Sequence, residues 1–172
     1  MVPVWVAAGL AALDLGIKGE VERQKQEEFP RELKGSGGMI TLKRYHNHGF
    51  PFGLLQERPE LVKLIPLSVA SAVAGALGLL MLDRGRRVQK AGLALVLGGA
   101  ASNLYDRFKR GYVVDYFTIE WKTLKRVVFN LGDIFVFAGS LLFMLGQFLT
   151  EHSSDHASKR ADSKHPDGPF HI

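Results

Sequence analysis

Four carboxylates sit where an apolar chain would not carry them unless they pair or react: Asp14, Asp106, Asp115 and Asp133. Each lies in or beside a hydrophobic run, and an ionisable group at membrane depth is costly to hold. Asp133 falls inside the last apolar block, with Asn130 three positions before it, a spacing that puts both side chains on one helix face. Asp115 lies in Gly111-Tyr-Val-Val-Asp-Tyr-Phe117, just beyond another apolar block. Two carboxylates brought into contact cannot both ionise cheaply, so they share a proton. One then acts as base toward a water and the other as acid toward a carbonyl oxygen. That is the equipment for amide hydrolysis with neither a metal nor a covalent intermediate. The competing reading is structural: Asp115 pairs with Arg107 or Arg110, and Asp133 with Lys122, Lys125 or Arg126.

A second polar group closes an apolar block. Asn103, Asp106 and Arg107 stand at i, i+3 and i+4 and share one face of a helix end. They either anchor that end at lipid head groups or orient the carboxylates and a substrate backbone.

The elements that must position these residues are apolar helices. The 172 residues suffice for one domain, and the 47% of hydrophobic residues are gathered in blocks. Residues 64–82 carry no charge and match the length of a membrane-crossing helix. Their small members, Ser68, Ala70, Ser71, Ala74, Gly75 and Gly78, would admit a neighbouring helix closely. Residues 134–150 form another uncharged block, and extending it back to 127 takes in Asn130 and Asp133. Residues 2–17 and 91–105 are shorter. The first could be the core of a cleaved signal peptide, but it lacks a basic leader and contains Asp14, which favours a retained span.

An all-α membrane protein with four transmembrane helices is therefore expected. Residues 1–150 would form the membrane domain. The Arg-dense loop 83–90 reads as cytoplasmic, which puts both termini there and residues 18–63 and 106–126 outside. In these outer segments, 39–45 and 113–121 read as extended, with Lys34-Gly-Ser-Gly-Gly38 as a turn. The expected fold thus includes a small β-containing extracytoplasmic segment. Residues 151–172 are hydrophilic and read as a disordered tail, in which His152, His156, His165 and His171 are solvated rather than ligating. With no cysteine, disulfides, thiolate metal sites and cysteine nucleophiles are excluded. The net charge of +5 is spread between apolar blocks. It suits membrane lipids with anionic head groups and gives no stripe for nucleic acid.

At this point the motifs resemble a known family. Gly98-Gly-Ala-Ala-Ser-Asn-Leu-Tyr-Asp-Arg107, Gly111-Tyr-Val-Val-Asp115 and Phe129-Asn-Leu-Gly-Asp133 are similar, in order, to blocks of lipoprotein signal peptidase, or signal peptidase II. Asn47-His-Gly-Phe-Pro-Phe-Gly53 and Asp14-Leu-Gly-Ile-Lys18 resemble two further blocks. The likeness covers about residues 1–150. It implies a four-helix aspartic peptidase of the bacterial cytoplasmic membrane with its active site on the extracytoplasmic side. The implied substrate is a prolipoprotein cut just before its diacylglyceryl-modified Cys. Asp115 and Asp133 would be the catalytic pair, and Asn47, Asn103, Arg107 and Asn130 would line the site. Asp14 and Lys18 would support it, and Asp106 belongs to the same supporting group. Neither a metal nor an organic cofactor is implied, globomycin-like cyclic peptides would be inhibitors, and a monomer is expected. Ser102, Gly132 and Leu15 depart from the family's usual Gly, Ala and Gln. The first two exchange small for small, whereas Leu15 removes a polar group. The aromatics Phe50, Phe52, Tyr116 and Trp121 could lie at the interface and cover a groove.

Two other readings stand beside the peptidase. A small proton- or ion-coupled transporter would use Asp14, Asp106 and Asp133 as a relay, and would need carboxylates near mid-bilayer. A catalytically silent relative would bind lipoprotein signal peptides without cutting them.

Overall fold

The computed structural model of the chain describes residues 1–50 and 54–162, with side chains as far as Thr150. Among the described residues there are four α-helices: α1 (Val2–Arg23), α2 (Pro59–Met81), α3 (Arg87–Lys109) and α4 (Leu131–Asp162). Three strands, β1 (Arg31–Glu32), β2 (Ile40–Asn47) and β3 (Val113–Ile119), form an antiparallel sheet in that order. The protein is thus mostly helical with a small sheet. α4 continues to Asp162, into the segment read from sequence as a tail, and residues 163–172 lie outside the described residues.

Among the described residues, three helical stretches are long and apolar enough to cross a membrane: Val2–Arg23, Pro59–Met81 and Leu131–Thr150. α3 is as long as α2, at 23 residues, but is not one of them. Charged residues occupy both its ends, and it is enclosed by the other three helices. The burial pattern reverses that of a water-soluble protein. Trp5, Leu79, Phe137 and Phe148 are at least 66% exposed, whereas Asp14, Lys18, Ser102, Asp106 and Asn130 are at 0%. Apolar side chains facing outward around polar ones are the arrangement that lipid stabilises.

The closest helix contact is not where the small residues of α2 suggested. Gly75 and Gly78 face open space, and Ser68, Ser71 and Ala74 are exposed. Close packing instead joins α3 to α4. A Cβ on Gly92 would lie 2.7 Å from the Gly139 carbonyl oxygen, and one on Gly139 would lie 2.5 Å from that of Gly92. Gly99 meets Gly132 in the same way, and Gly146 meets Gln89. In α4, Gly132, Gly139 and Gly146 recur every seven residues, so one stripe of the helix presents bare backbone to its neighbour. Gln89 Nε2 closes the far end by donating to the Gly146 carbonyl and to Thr150 Oγ1, both at 2.7 Å.

The start of α4 differs from expectation. Residues 127–130 do not continue the helix. Phe129 bridges to Phe117 of β3, with its N–H donating to the Phe117 carbonyl at 2.7 Å and its carbonyl accepting from Tyr116 N–H at 2.9 Å. Asn130 then caps α4. Its Oδ1 accepts from Asp133 N–H at 2.9 Å, and Asp133 Oδ2 accepts from Asn130 N–H at 3.1 Å. This is a reciprocal capping box, in which two short polar side chains satisfy backbone donors that the first turn cannot. Asp133 is therefore in the first turn of α4, not two turns into a span.

Candidate active site

Asp115 and Asp133 reach a common place from different elements. β3 carries Asp115, and the pairing of Phe129 with β3 brings the cap of α4 beside it. Asn130 links the two acids: its Nδ2 donates to Asp115 Oδ1 at 2.6 Å while its backbone N–H donates to Asp133. Two further amides complete the set. Asn47, the last residue of β2, donates to Asp115 Oδ2 at 2.9 Å, and Asn103 of α3 donates to Asp133 Oδ1 at 2.9 Å. The glycine contact between Gly99 and Gly132 brings α3 near enough for that last bond.

Among the described residues, every hydrogen-bond partner of these two carboxylates is neutral. Among the described residues, no Lys or Arg forms an ion pair with Asp115 or Asp133, and Arg110 pairs with Asp106 at 2.6 Å instead. The purely structural pairing weighed from sequence is therefore not the one found. Burial and then the charge of Asp133 push the Asp115 carboxyl up to about 7, against the hydrogen bonds from Asn47 and Asn130. Arg107 donates to the Gly49 carbonyl at 3.2 Å and lies 5.6 Å from the Phe50 ring centre. Its Nε is buried and has no hydrogen-bond partner among the described residues.

A second cluster lies on the α1 side. Lys18 Nζ is fully buried, 2.8 Å from Asp14 and 3.4 Å from Asp106, and it donates to Ser102 Oγ at 3.0 Å and Asn103 Oδ1 at 2.7 Å. Asp14 also accepts from Ser102 Oγ at 2.5 Å and from Tyr116 Oη at 2.9 Å. Asp106 accepts from Val114 N–H at 3.1 Å, which ties the end of α3 to β3 one residue before Asp115. Lys18 and Asn103 connect the two clusters, since Asn103 accepts from Lys18 and donates to Asp133.

All nine residues singled out from sequence thus fall in these two clusters or at Arg107 beside them. Two contributors are new. Ser102 stands where the resembled family has Gly, and its hydroxyl bridges Lys18 and Asp14. Tyr116 was expected at the interface, but it is 5% exposed and its ring faces the core formed with Val21 and Val114. Its hydroxyl donates to Asp14 and accepts from Leu131 N–H at 3.0 Å. Burial and Asp14 raise its pKa, so it remains a donor. The period-two alternation of a strand was the signal for this, because it sends Asp115 and Tyr116 to opposite faces. Trp121 is 64% exposed, and Phe52 lies outside the described residues.

A family model described as signal peptidase (SPase) II matches residues 6–149. The chain belongs to the signal peptidase II family. A lipoprotein signal peptidase of Brucella ovis is 40% identical over 111 residues, covering 64% of this chain and 68% of the relative. One from Brucella canis matches to the same extent, 40% over 111 residues. A bacterial membrane enzyme solved by the in meso method at 2.3 Å shares the fold with a TM-score of 0.72. Its identity is 18%, with 89% of this chain and 90% of that one covered. A second such structure, at 1.9 Å, gives 0.70 at 18% identity, covering 85% and 92%. These signal peptidase II features, a family of bacterial membrane proteins and helices apolar enough to span, agree with the outward-facing aliphatic surface described above.

Proposed function

We propose that this member of the family is an aspartic endopeptidase that removes the signal peptide from diacylglyceryl-modified prolipoproteins just before the lipidated Cys. Asp115 and Asp133 form the catalytic pair. The observation that carries this reading is the amide frame, in which Asn130 reaches both carboxylates and, among the described residues, neither forms an ion pair. Amides fix the direction of a carboxylate without cancelling its charge, so a proton added to the pair stays available for chemistry. Asp115, buried and pushed up to about 7, is the natural holder of that proton. Asp133 then draws a proton from the attacking water while Asp115 donates to the scissile carbonyl oxygen. As the tetrahedral gem-diol collapses, Asp133 passes the water's proton to the leaving nitrogen and Asp115 takes a proton back from the gem-diol oxygen, which closes the cycle without a covalent intermediate. Arg107 Nε, a donor without a fixed partner, meets the substrate backbone.

The lipidated substrate is held in the bilayer, so its scissile bond must be met at a membrane surface. α1, α2, α3 and α4 all cross the membrane in this reading, with α3 shielded from lipid by the others. The sheet and the Asp pair lie at the extracytoplasmic surface. Residues 1–150 are the working unit, and the chain acts as a monomer inhibited by globomycin-like cyclic peptides. The transporter reading gains no support, since the carboxylates gather at one end of the bundle instead of lining a path through it.

The test is cleavage of a lipidated prolipoprotein by purified Asp115→Asn and Asp133→Asn variants in detergent. Both should be inactive while keeping the helical circular dichroism of the parent. Normal processing by either variant would rule out the pair.

A further inference from the structure

At the bundle end away from the Asp pair, the starts of α1 and α3 and the end of α2 enclose an open cavity of about 450 Å³. From Arg87 to Arg107 along α3 is ~30 Å at 1.5 Å rise per residue, so this cavity lies about one hydrocarbon thickness from the site. Its wall is apolar, with Val6, Met81 and Ala94, and its rim carries Arg84, Arg87 and Lys90. Lys90 is engaged with the Asp83 carbonyl, and Arg86 pairs with the Asp83 carboxylate at 3.3 Å. Arg84 and Arg87 are exposed and have neither a hydrogen bond nor an ion pair among the described residues. Neither α1 nor α3 has an acidic residue in its first turn, so two positive helix ends meet at the same rim uncompensated.

Free cations above an apolar wall are the complement of an amphiphile with a negative head. We propose that this cavity binds an anionic phospholipid of the leaflet opposite the Asp115–Asp133 pair. Its phosphate sits between Arg84 and Arg87, and an acyl chain runs along Val6, Met81 and Ala94. Basic pockets between helices at a membrane surface suit such head groups, and the apolar wall gives no advantage to a free phosphate ion. The neighbouring Asp83 carboxylate is already occupied by Arg86, which leaves Arg84 and Arg87 to select an anionic lipid over a zwitterionic one.

The test uses the full chain in detergent, titrated with phosphatidylglycerol, phosphatidylcholine or inorganic phosphate and read by native mass spectrometry. Phosphatidylglycerol should bind tighter than phosphatidylcholine. The Arg84→Ala/Arg87→Ala variant should lose roughly 30-fold of that affinity, taking about a factor of five per cation near a head group. Phosphatidylcholine binding should not change. If the double variant loses its helical signal, Arg84→Gln and Arg87→Gln singly should each show about a fivefold loss. Equal binding of the two lipids, or undiminished phosphatidylglycerol binding by the variants, would overturn the proposal. So would inorganic phosphate displacing the lipid at equal concentration, since the site would then be one for a free anion.

Discussion

Asp14 and Asp106 are buried with a cation between them, whereas Asp115, buried, and Asp133, half-buried, are set among amides. The clusters are neighbours, joined through Asn103 and divided by β3, yet they meet the cost of buried charge in different ways. Lys18 offsets the first pair directly, and a Ser and a Tyr hydroxyl fill the remaining lone pairs of Asp14. The second pair receives orientation without neutralisation. In the proposed reading, what separates a support from a reactive centre is the charge of the partners, together with the partial exposure of Asp133 beside the fully buried Asp14, Lys18 and Asp106.

The largest expected effect tests the reactive half. Asp115→Asn and Asp133→Asn should each lower cleavage by about 10²–10⁴-fold, the usual contribution of a positioned acid or base. Their helical content should match that of the parent, with a thermal midpoint lowered by the loss of about one hydrogen bond, because each carboxylate accepts at both oxygens and the new NH2 faces a donor. Lys18→Met tests the other half. Removing Lys18 strands Asp14 without a cation, while Asp106 keeps Arg110, at a cost of about 3–5 kcal/mol. This variant should unfold at a clearly lower temperature and lose activity only in proportion to the folded fraction. Were Lys18→Met instead stable and inactive, the division between support and reactive centre would fail.

Acidity separates the halves further. The Asp115 carboxyl, raised from 3.8 to about 7, binds its proton more tightly in the fold than in the unfolded chain. Its stabilising contribution is fully present below the lower value and is lost as pH rises toward about 7. Cleavage should fall by about tenfold per pH unit above that value, as the pair loses its only proton. Asp115→Asn should flatten the decline in stability between those pH values. A parent enzyme equally active at pH 7 and 9 would exclude a shared proton.

Much of this was legible in the sequence because hydrophobic blocks fix helices and because Asp, Asn and Arg are conspicuous inside them. The four helices and the two longer strands lie where the apolar runs and the alternation put them. Contacts between elements were less legible. The small residues of α2 and the glycines of α3 and α4 look alike as composition, and only the packing shows that Gly92 and Gly139 bring backbones together while Gly75 faces outward. The origin of α4 was misplaced because residues 127–129 are apolar enough for a span. Their hydrogen bonds to β3 and the Asn130 cap decide otherwise. Asp106 read as part of a helix end, but its bond to Val114 N–H makes it a tether of β3.

The smallest expected effect concerns the strut between the halves. Tyr116→Phe keeps the ring in its core and deletes only a hydroxyl that donates to Asp14 and accepts from Leu131 N–H. Asp14 keeps Lys18 and Ser102, so the support should survive with a loss of about 1–2 kcal/mol, the scale of one buried hydrogen bond left unmade. Leu131 follows the Asn130 cap directly, and Asn130 is the residue that holds both Asp115 and Asp133. Loosening that turn should therefore lower kcat several-fold while leaving KM for a lipidated peptide nearly unchanged, because the ring stays packed in the core with Val21 and Val114. A purely structural role would move the thermal midpoint without moving kcat at a temperature where the protein is fully folded. A change in KM alone would instead put Tyr116 in the binding groove and away from the α4 cap.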